Sequence, residues 1–364
     1  MLVLRTAFSK VQQNQNQEQF RNPSAPGYEV VVAGTTKGSS GPLRLDPLML
    51  APNGDSGVFG GYDGATKLLK QVEHNNPHHS KLTSLAQSGS SGRDLWLLEL
   101  SSSPSDLHEA PHLPGTLITA GHLGNDVAAI QTAVGLAQVL ASRYGKDNLI
   151  TQILNTTKVF IVPMVAVDDV ISAKQAASFD CDDSSEDITL TVDVSSRGGH
   201  PSASWSLAAL SRWLSRSSSH LVSSLSLKSG ASGVLFSGLA GPERTAAANL
   251  ARSLRRLTPQ LEDIGRPGPA CPLTRQSAAA KTATSKAVPG VQGAGFYSEA
   301  SLAIYGTLES ALARRGVLSI AALTSCCPVP SDDQRRLIVQ TLKPALLKFL
   351  AMYILSYYKN YYSL

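Results

Sequence analysis

Continuous apolar runs that alternate with helical segments constrain the fold of this chain most strongly. The runs GTLITA (Gly115–Ala120) and KVFIVPMV (Lys158–Val165) lack the regular alternation of apolar and polar residues that marks a half-exposed strand. Between them, Val127–Tyr144 has the apolar spacing of a helix, and Gly145 ends it. Buried strands joined by helices predict an α/β protein whose sheet is largely covered on both faces.

The same alternation continues along the rest of the chain. Further strands are predicted at Asp94–Leu100, Leu225–Leu227, Val234–Phe236 and Val317–Thr324. Further helices are predicted at Ala65–His74, Ala203–Leu214, Ala246–Leu257, Thr307–Arg315 and Asp332–Tyr353. The segment 259–293 is rich in Pro, Gly, Ala and Ser, and it is predicted to form a long loop.

Composition changes near both ends of the chain and suggests the domain boundaries. Residues 1–27 are Gln- and Asn-rich without any period, which predicts a disordered tail. Residues 28–61 contain two strand-like runs around a Gly/Ser turn, followed by a Gly-rich connection. The main domain is predicted at 62–355, and residues 356–364 form a second tail.

Overall composition is that of a globular protein. The 364 residues are 42% hydrophobic and 16% charged. The net charge of +5 is spread thinly along the chain, so we expect no nucleic-acid partner. The most apolar stretch, Ala345–Tyr358, contains Lys348 and is shorter than the roughly 20 residues of a membrane span. The apolar start MLVLRTAF is too short for a secretory signal. Neither a signal peptide nor a transmembrane segment is therefore visible.

Common nucleotide and hydrolase motifs are absent. The sequence contains no GxxxxGK[ST], no GxGxxG after a strand and no GxSxG. His122 is the histidine of most interest, because it follows the strand GTLITA where α/β folds place their sites. Asp126 lies four residues later, and it either contributes to such a site or, like Asn125, caps the next helix.

The other polar motifs have ordinary explanations as well. Four histidines are interpreted as solvated loop residues: His78, His79, His108 and His112. Asn155-Thr156-Thr157 is an N-glycosylation sequon if the chain is secreted, and a turn otherwise.

Three segments carry a resemblance to a known family. They are SKLTSLAQSGSSGRDLWLLELS (80–101), the stretch from PGTLITAGHLGND to VFIVPM (114–164), and LTSCCPVPSDDQRRLIVQTLKPALLKFL (323–350). Together they resemble the zinc metallocarboxypeptidases of the regulatory (N/E/D) branch, over about residues 62–355. The resemblance implies the carboxypeptidase fold, a mixed sheet of about eight strands flanked by helices. Residues 28–50 resemble the end of the transthyretin-like β-domain that accompanies these enzymes, so 28–61 is interpreted as its remnant with a linker.

Active members of this family bind zinc through a His, a Glu three positions later and a distant His. The motif GHLGND places Leu123 and Asp126 at the first two ligand positions, with Gly124-Asn125 in register. The motif SLSLKSG places Lys228 at the third. A leucine cannot bind a metal, and a protonated lysine has no lone pair to donate. Shifting the register so that His122 is the first ligand puts Asn125 at the second position and restores no site.

The remaining catalytic positions are also changed. The general-base Glu of the family falls on Leu323. The Asn-Arg pair that holds the substrate carboxylate falls on Ser195 and Ser196, with Arg197 one position out of register. The resemblance therefore implies a catalytically degenerate domain without zinc.

Such a domain is expected to be a binding or structural module of a secretory-pathway protein, with a peptide or protein ligand in the vestigial cleft. The alternative is an active zinc carboxypeptidase that releases C-terminal Arg or Lys from peptides. A third possibility is an unrelated cytosolic α/β hydrolase with a Ser-His pair.

Two further expectations concern contacts. An ion pair between Asp126 and Lys228 is expected to replace the metal, because a buried carboxylate needs a compensating charge. If the chain is secreted, Cys271 is expected to pair with Cys326 or Cys327, since adjacent cysteines rarely bond to each other.

Overall fold

The computed structural model describes residues 61–104, 113–122, 124, 126–169, 204–217, 220–229, 231–236, 242–258, 296–298, 307–325 and 330–361. These residues contain eight strands of one sheet. The strands are β1 (Ser80–Gln87), β2 (Asp94–Leu100), β3 (Gly115–Thr119), β4 (Lys158–Val162), β5 (Leu221–Lys228), β6 (Ala231–Phe236), β7 (Phe296–Ser298) and β8 (Leu318–Ser325).

Helices precede or connect most of these strands. The α-helices of the described residues are α1 (Gly61–Asn75), α2 (Val127–Arg143), α3 (Asn148–Thr156), α4 (Ser204–Ser217), α5 (Pro242–Leu257), α6 (Leu308–Ala313) and α7 (Asp332–Tyr361). A short 3-10 turn follows β4 at Val167–Asp169. The predicted alternation of strands and helices is confirmed.

The sheet is mixed, with the order β1-β2-β4-β3-β5-β8-β6-β7. Its centre, from β4 to β8, is parallel. The strands β2 and β6 flank this centre and run antiparallel to β4 and β8. Every residue of β3 and β4 is buried, as their continuous apolar sequences predict. The predicted eight-stranded, mostly buried α/β sheet is therefore confirmed.

Strand β7 was not predicted, and α7 extends beyond the predicted Tyr353 to Tyr361. Two other elements differ from the prediction for local reasons. Helix α3 was not predicted, because its nine residues mix polar and apolar types; Asp147 starts it by accepting a hydrogen bond from the Ile150 amide at 3.0 Å. Strand β5 begins at Leu221, several residues before the predicted Leu225. Its early serines are buried, and one of them, Ser223, bonds to Thr116 on β3 at 2.8 Å.

Several predictions fall outside the described residues. They concern the tail at 1–27, most of the segment 28–61, the loop 259–293 and all four cysteines, and they remain predictions. Among the described helices, none combines the length and the apolar character that crossing a membrane requires.

Candidate functional site

Polar side chains meet where β3, β5 and β8 end. These strands are parallel, so their carboxyl ends lie at the same edge of the sheet, where α/β folds place their sites. Thr119 pairs with Ser226, and Lys228 pairs with Leu323, in the two strand ladders. Residues paired across a ladder share a face, and so do residues two apart on a strand. These four side chains therefore project to the same side of the sheet.

The loop after β3 is fixed by close backbone packing at Gly121. Gly121 has φ of +61°, and a Cβ there would lie 2.9 Å from both the Met164 Cα and the Pro163 oxygen. The Gly121 carbonyl also accepts a hydrogen bond from the Ala166 amide at 2.7 Å. Only glycine accommodates both the positive φ and the lack of space for a Cβ at this position. The close contact sets the position of the next residue, His122.

Asp126 connects this loop to the end of β5. Its carboxylate accepts hydrogen bonds from the His122 amide at 2.9 Å and from the Ser229 amide at 2.8 Å. The residue is 1% exposed and directly precedes α2, but its side chain makes no capping hydrogen bond to that helix. Asp126 therefore occupies the N-cap position of α2, but its side chain joins two chain segments of the site and does not cap that helix.

Lys228 is the last residue of β5, and its ammonium is buried against Glu309 of α6. The nitrogen lies 3.1 Å from each carboxylate oxygen of Glu309. The two residues are 3% and 0% exposed. The sequence analysis expected Asp126 as the partner of Lys228. The structure places Glu309 against the ammonium, and the Asp126 carboxylate accepts the two backbone hydrogen bonds described above.

A chain of hydrogen bonds leads from His122 to the same carboxylate. The Thr119 hydroxyl lies 3.0 Å from His122 Nε2 and donates to Ser226 Oγ at 3.0 Å. The Ser226 hydroxyl bonds to Glu309. Since the Thr119 hydrogen points to Ser226, His122 Nε2 is the donor to Thr119, and no described residue forms a hydrogen bond with its buried Nδ1. We call Thr119, His122, Asp126, Ser226, Lys228 and Glu309 the polar cluster.

The charges in the polar cluster follow from burial and from Lys228. Burial, and then the positive charge of Lys228, lower the pKa of His122 to about 3, so the ring is neutral at ordinary pH. Burial alone raises the pKa of Glu309, but the positive charge of Lys228 and the Ser226 hydroxyl together hold it well below its ordinary value. The cluster therefore contains an ionised Lys–Glu pair beside a neutral imidazole.

The predicted site residues fall into two groups. Asp126, Lys228 and Leu323 lie together at the carboxyl edge of the sheet, and Leu323 is fully buried. Leu123, Ser195, Ser196 and Arg197 lie outside the described residues, so their roles remain predictions. Glu309 was missed, because an acidic residue in the first turn of a helix is commonplace and gives no sign of burial.

Of the histidines interpreted as solvated, His78 is exposed and His108 and His112 lie outside the described residues. His79 is partly buried, and its Nε2 contacts the Ala141 carbonyl at 2.9 Å. Neither His78 nor His79 adds a group to the polar cluster.

Comparison with known proteins gives this fold and site a context. The profile of the peptidase M14 family, described as zinc carboxypeptidase, matches residues 65–180. Carboxypeptidase D of Anas platyrhynchos is 30% identical over 149 residues, which is 40% of this chain and 10% of that protein. Human carboxypeptidase D is 27% identical over 164 residues, 44% of this chain and 11% of that protein. The alignments thus span about a tenth of these relatives' length.

Solved structures share the fold at low sequence identity. Bovine thrombin-activatable fibrinolysis inhibitor, in complex with tick carboxypeptidase inhibitor, superposes with a TM-score of 0.58 at 12% identity, covering 80% of this chain and 96% of that one. Carboxypeptidase A from Helicoverpa armigera gives a TM-score of 0.53 at 9% identity, covering 80% and 73%. These likenesses establish the carboxypeptidase fold.

Proposed function

We propose that this chain, whose residues 65–180 match the zinc carboxypeptidase model of the peptidase M14 family, is a catalytically degenerate member that works without zinc. Its role is that of a binding or structural module in a carboxypeptidase D-like protein of the secretory pathway. One observation carries the proposal. The residue at the distant-His position is Lys228, and its buried ammonium is paired with a carboxylate.

The residues of the polar cluster do not fit a zinc ion. A zinc ligand must offer a lone pair, and a protonated amine has none. The ammonium also carries a positive charge that repels a dication in a water-poor environment. Both oxygens of Asp126, at the Glu position, already accept backbone hydrogen bonds, so a metal would have to compete with the His122 and Ser229 amides.

The general-base position gives independent support. Leu323 is fully buried beside Lys228 in the β5–β8 ladder. An alkyl side chain can neither accept a proton from water nor supply negative charge near a metal. The Lys228 ammonium therefore takes its counter-charge from another element, the carboxylate of Glu309 on α6.

What remains for such a domain is recognition. The proposal assigns to the vestigial cleft a peptide or protein ligand that is bound and not cleaved. The carboxyl edge of the parallel strands is where α/β folds bind ligands, and the cleft of this proposal lies there. The similarity to carboxypeptidase D supports placing this module in the secretory pathway.

The test combines metal content with hydrolysis. The purified chain is equilibrated with zinc, passed through a desalting column and subjected to elemental analysis. It is then incubated with a peptide that ends in arginine, beside an active metallocarboxypeptidase as a positive control. We expect no stoichiometric zinc and no released arginine. About one zinc per chain, with arginine release that a chelator abolishes, would establish the active enzyme instead.

A further inference from the structure

We infer that the Lys228 ammonium, held in place by Glu309, is a built-in cation that takes the place of the metal charge and excludes a metal ion from the polar cluster. This inference rests on the proposed function, because it explains how the cluster is stable without zinc. It adds Glu309, a residue at none of the family positions considered above, as the group that positions the cation.

The first argument is the position of Lys228 and Glu309 in the fold. Lys228 ends β5 directly beside Leu323 of β8, and Glu309 reaches the same place from α6, the helix that precedes β8. The carboxylate contacts the ammonium through both oxygens at 3.1 Å. With exposures of 3% and 0%, water cannot screen the pair, so its attraction is far stronger than that of a surface pair.

The second argument is that a chain of hydrogen bonds holds the Glu309 carboxylate in place. The hydrogen-bond chain from His122 through Thr119 and Ser226 ends on Glu309, and each step is a buried contact. A carboxylate that accepts a hydroxyl hydrogen bond in addition to its ion pair is held in one orientation. The pKa of Glu309 is accordingly lowered, so the carboxylate stays ionised and keeps its hold on Lys228.

The neighbouring groups give the third argument. Asp126 and Glu309 bring two carboxylates to the polar cluster, and His122 is neutral at ordinary pH. A dication could compensate two carboxylates, but a buried ammonium already provides positive charge there. A metal ion could enter only after the ammonium leaves, and that lysine is 3% exposed at the end of a central strand.

The experiment rebuilds the metal site in steps. Leu123→His supplies the first ligand position and leaves Lys228 in place. Leu123→His with Lys228→His restores a histidine at both family positions and keeps Asp126. Leu123→His with Lys228→Gln is the matched control, because it removes the charge without offering an imidazole. Zinc affinity is measured for each by isothermal titration calorimetry and by competition with a chromogenic chelator, with circular dichroism as the check of folding.

We expect no zinc binding by wild type or by Leu123→His. The double histidine variant should bind zinc at least ~100-fold more tightly than Leu123→His, since losing even a supporting group around a metal costs about 10–100-fold in affinity. The zinc affinity of the glutamine control should lie between those of Leu123→His and the double histidine variant.

If the double histidine variant is unfolded without metal, zinc-dependent refolding supports the inference. If zinc does not refold it, the same measurements are made with Glu309→Gln added, which removes the unpaired carboxylate.

The outcomes separate the two proposals. Zinc binding by wild type overturns the proposed function together with the inference. Tight zinc binding by Leu123→His, with Lys228 unchanged, overturns the inference alone, because the ammonium would then exclude nothing. A folded double histidine variant without zinc affinity also overturns it, while the metal-free wild type leaves the proposed function standing.

Discussion

The ammonium nitrogen of Lys228 lies 3.1 Å from each carboxylate oxygen of Glu309, and both side chains are buried. The two residues are 81 positions apart and belong to different elements, a strand and a helix. Burial makes each charge dependent on the other, because neither can be solvated by water if its partner is removed.

The first prediction follows from this dependence. Lys228→Met and Glu309→Gln should each destabilise the fold by about 3–5 kcal/mol, because each leaves one buried charge unpaired. The double variant should cost clearly less than the sum, with a coupling energy above about 1 kcal/mol. The free energy of unfolding is measured in urea for all four proteins. Additive losses would show that the two charges are not mutually dependent.

The second prediction concerns pH and His122. Its pKa is lowered from 6.5 to about 3, so below pH 6.5 the unfolded chain binds a proton that the folded chain refuses. Stability is therefore lost as the pH falls, by up to about 1.4 kcal/mol per unit from this group. Glu309, whose folded pKa is also lowered, loses its contribution only below the unfolded value of about 4.5.

The range between pH 6.5 and 4.5 thus isolates the histidine. Urea unfolding at several pH values in this range should give a clearly shallower slope for His122→Gln than for wild type. Glutamine retains an amide donor toward Thr119 and does not titrate. Equal slopes for the two proteins would contradict a neutral, buried imidazole.

The third prediction tests the loop that carries His122. Gly121→Ala should cost about 1–3 kcal/mol for overpacking against Met164 and Pro163, in addition to the strain of a positive φ. Gly145→Ala is the matched control, because Gly145 also has a positive φ, +74°, but open space around its Cβ position. The two variants are compared by thermal unfolding. Equal destabilisation would mean that the close packing at Gly121 contributes nothing.

The fourth prediction tests the secretory location. Asn155 is exposed at the end of α3, and Asn155-Thr156-Thr157 is the single N-glycosylation sequon of the sequence. Protein purified from cells that express it naturally should carry a glycan on Asn155, seen as a mass loss after treatment with an N-glycosidase. Asn155→Gln expressed in the same cells is the control. An unmodified Asn155 would argue against passage through the secretory pathway.

The architecture could be predicted from the sequence because hydrophobic patterns decide it. The runs that became β3 and β4 are mostly apolar and show no alternation of apolar and polar residues, and such runs are stable only when covered on both faces. The boundaries of β5 could not be predicted. Its leading serines look like loop residues until a partner hydroxyl, such as that of Thr116, satisfies them across the ladder.

The site residues could be predicted only where the sequence resembles motifs of a known family. Lys228 and Leu323 were located by their positions in aligned strands, and the structure brings them together. The partner of Lys228 was not predictable, because choosing between Asp126 and Glu309 requires knowing where α6 packs. Nothing in the sequence TLESAL separates a buried glutamate from one in water.

The reciprocal burial of Lys228 and Glu309 also has an evolutionary consequence. If the chain descends from a metal-binding ancestor, reverting Lys228 alone leaves Glu309 charged in a dry environment, and reverting Glu309 alone leaves the ammonium there. Every path of single substitutions back toward a metal ligand set thus begins with a strongly destabilised chain. The pair therefore constrains how the chain can change, because either position can be altered without leaving an unpaired buried charge only when the other changes with it.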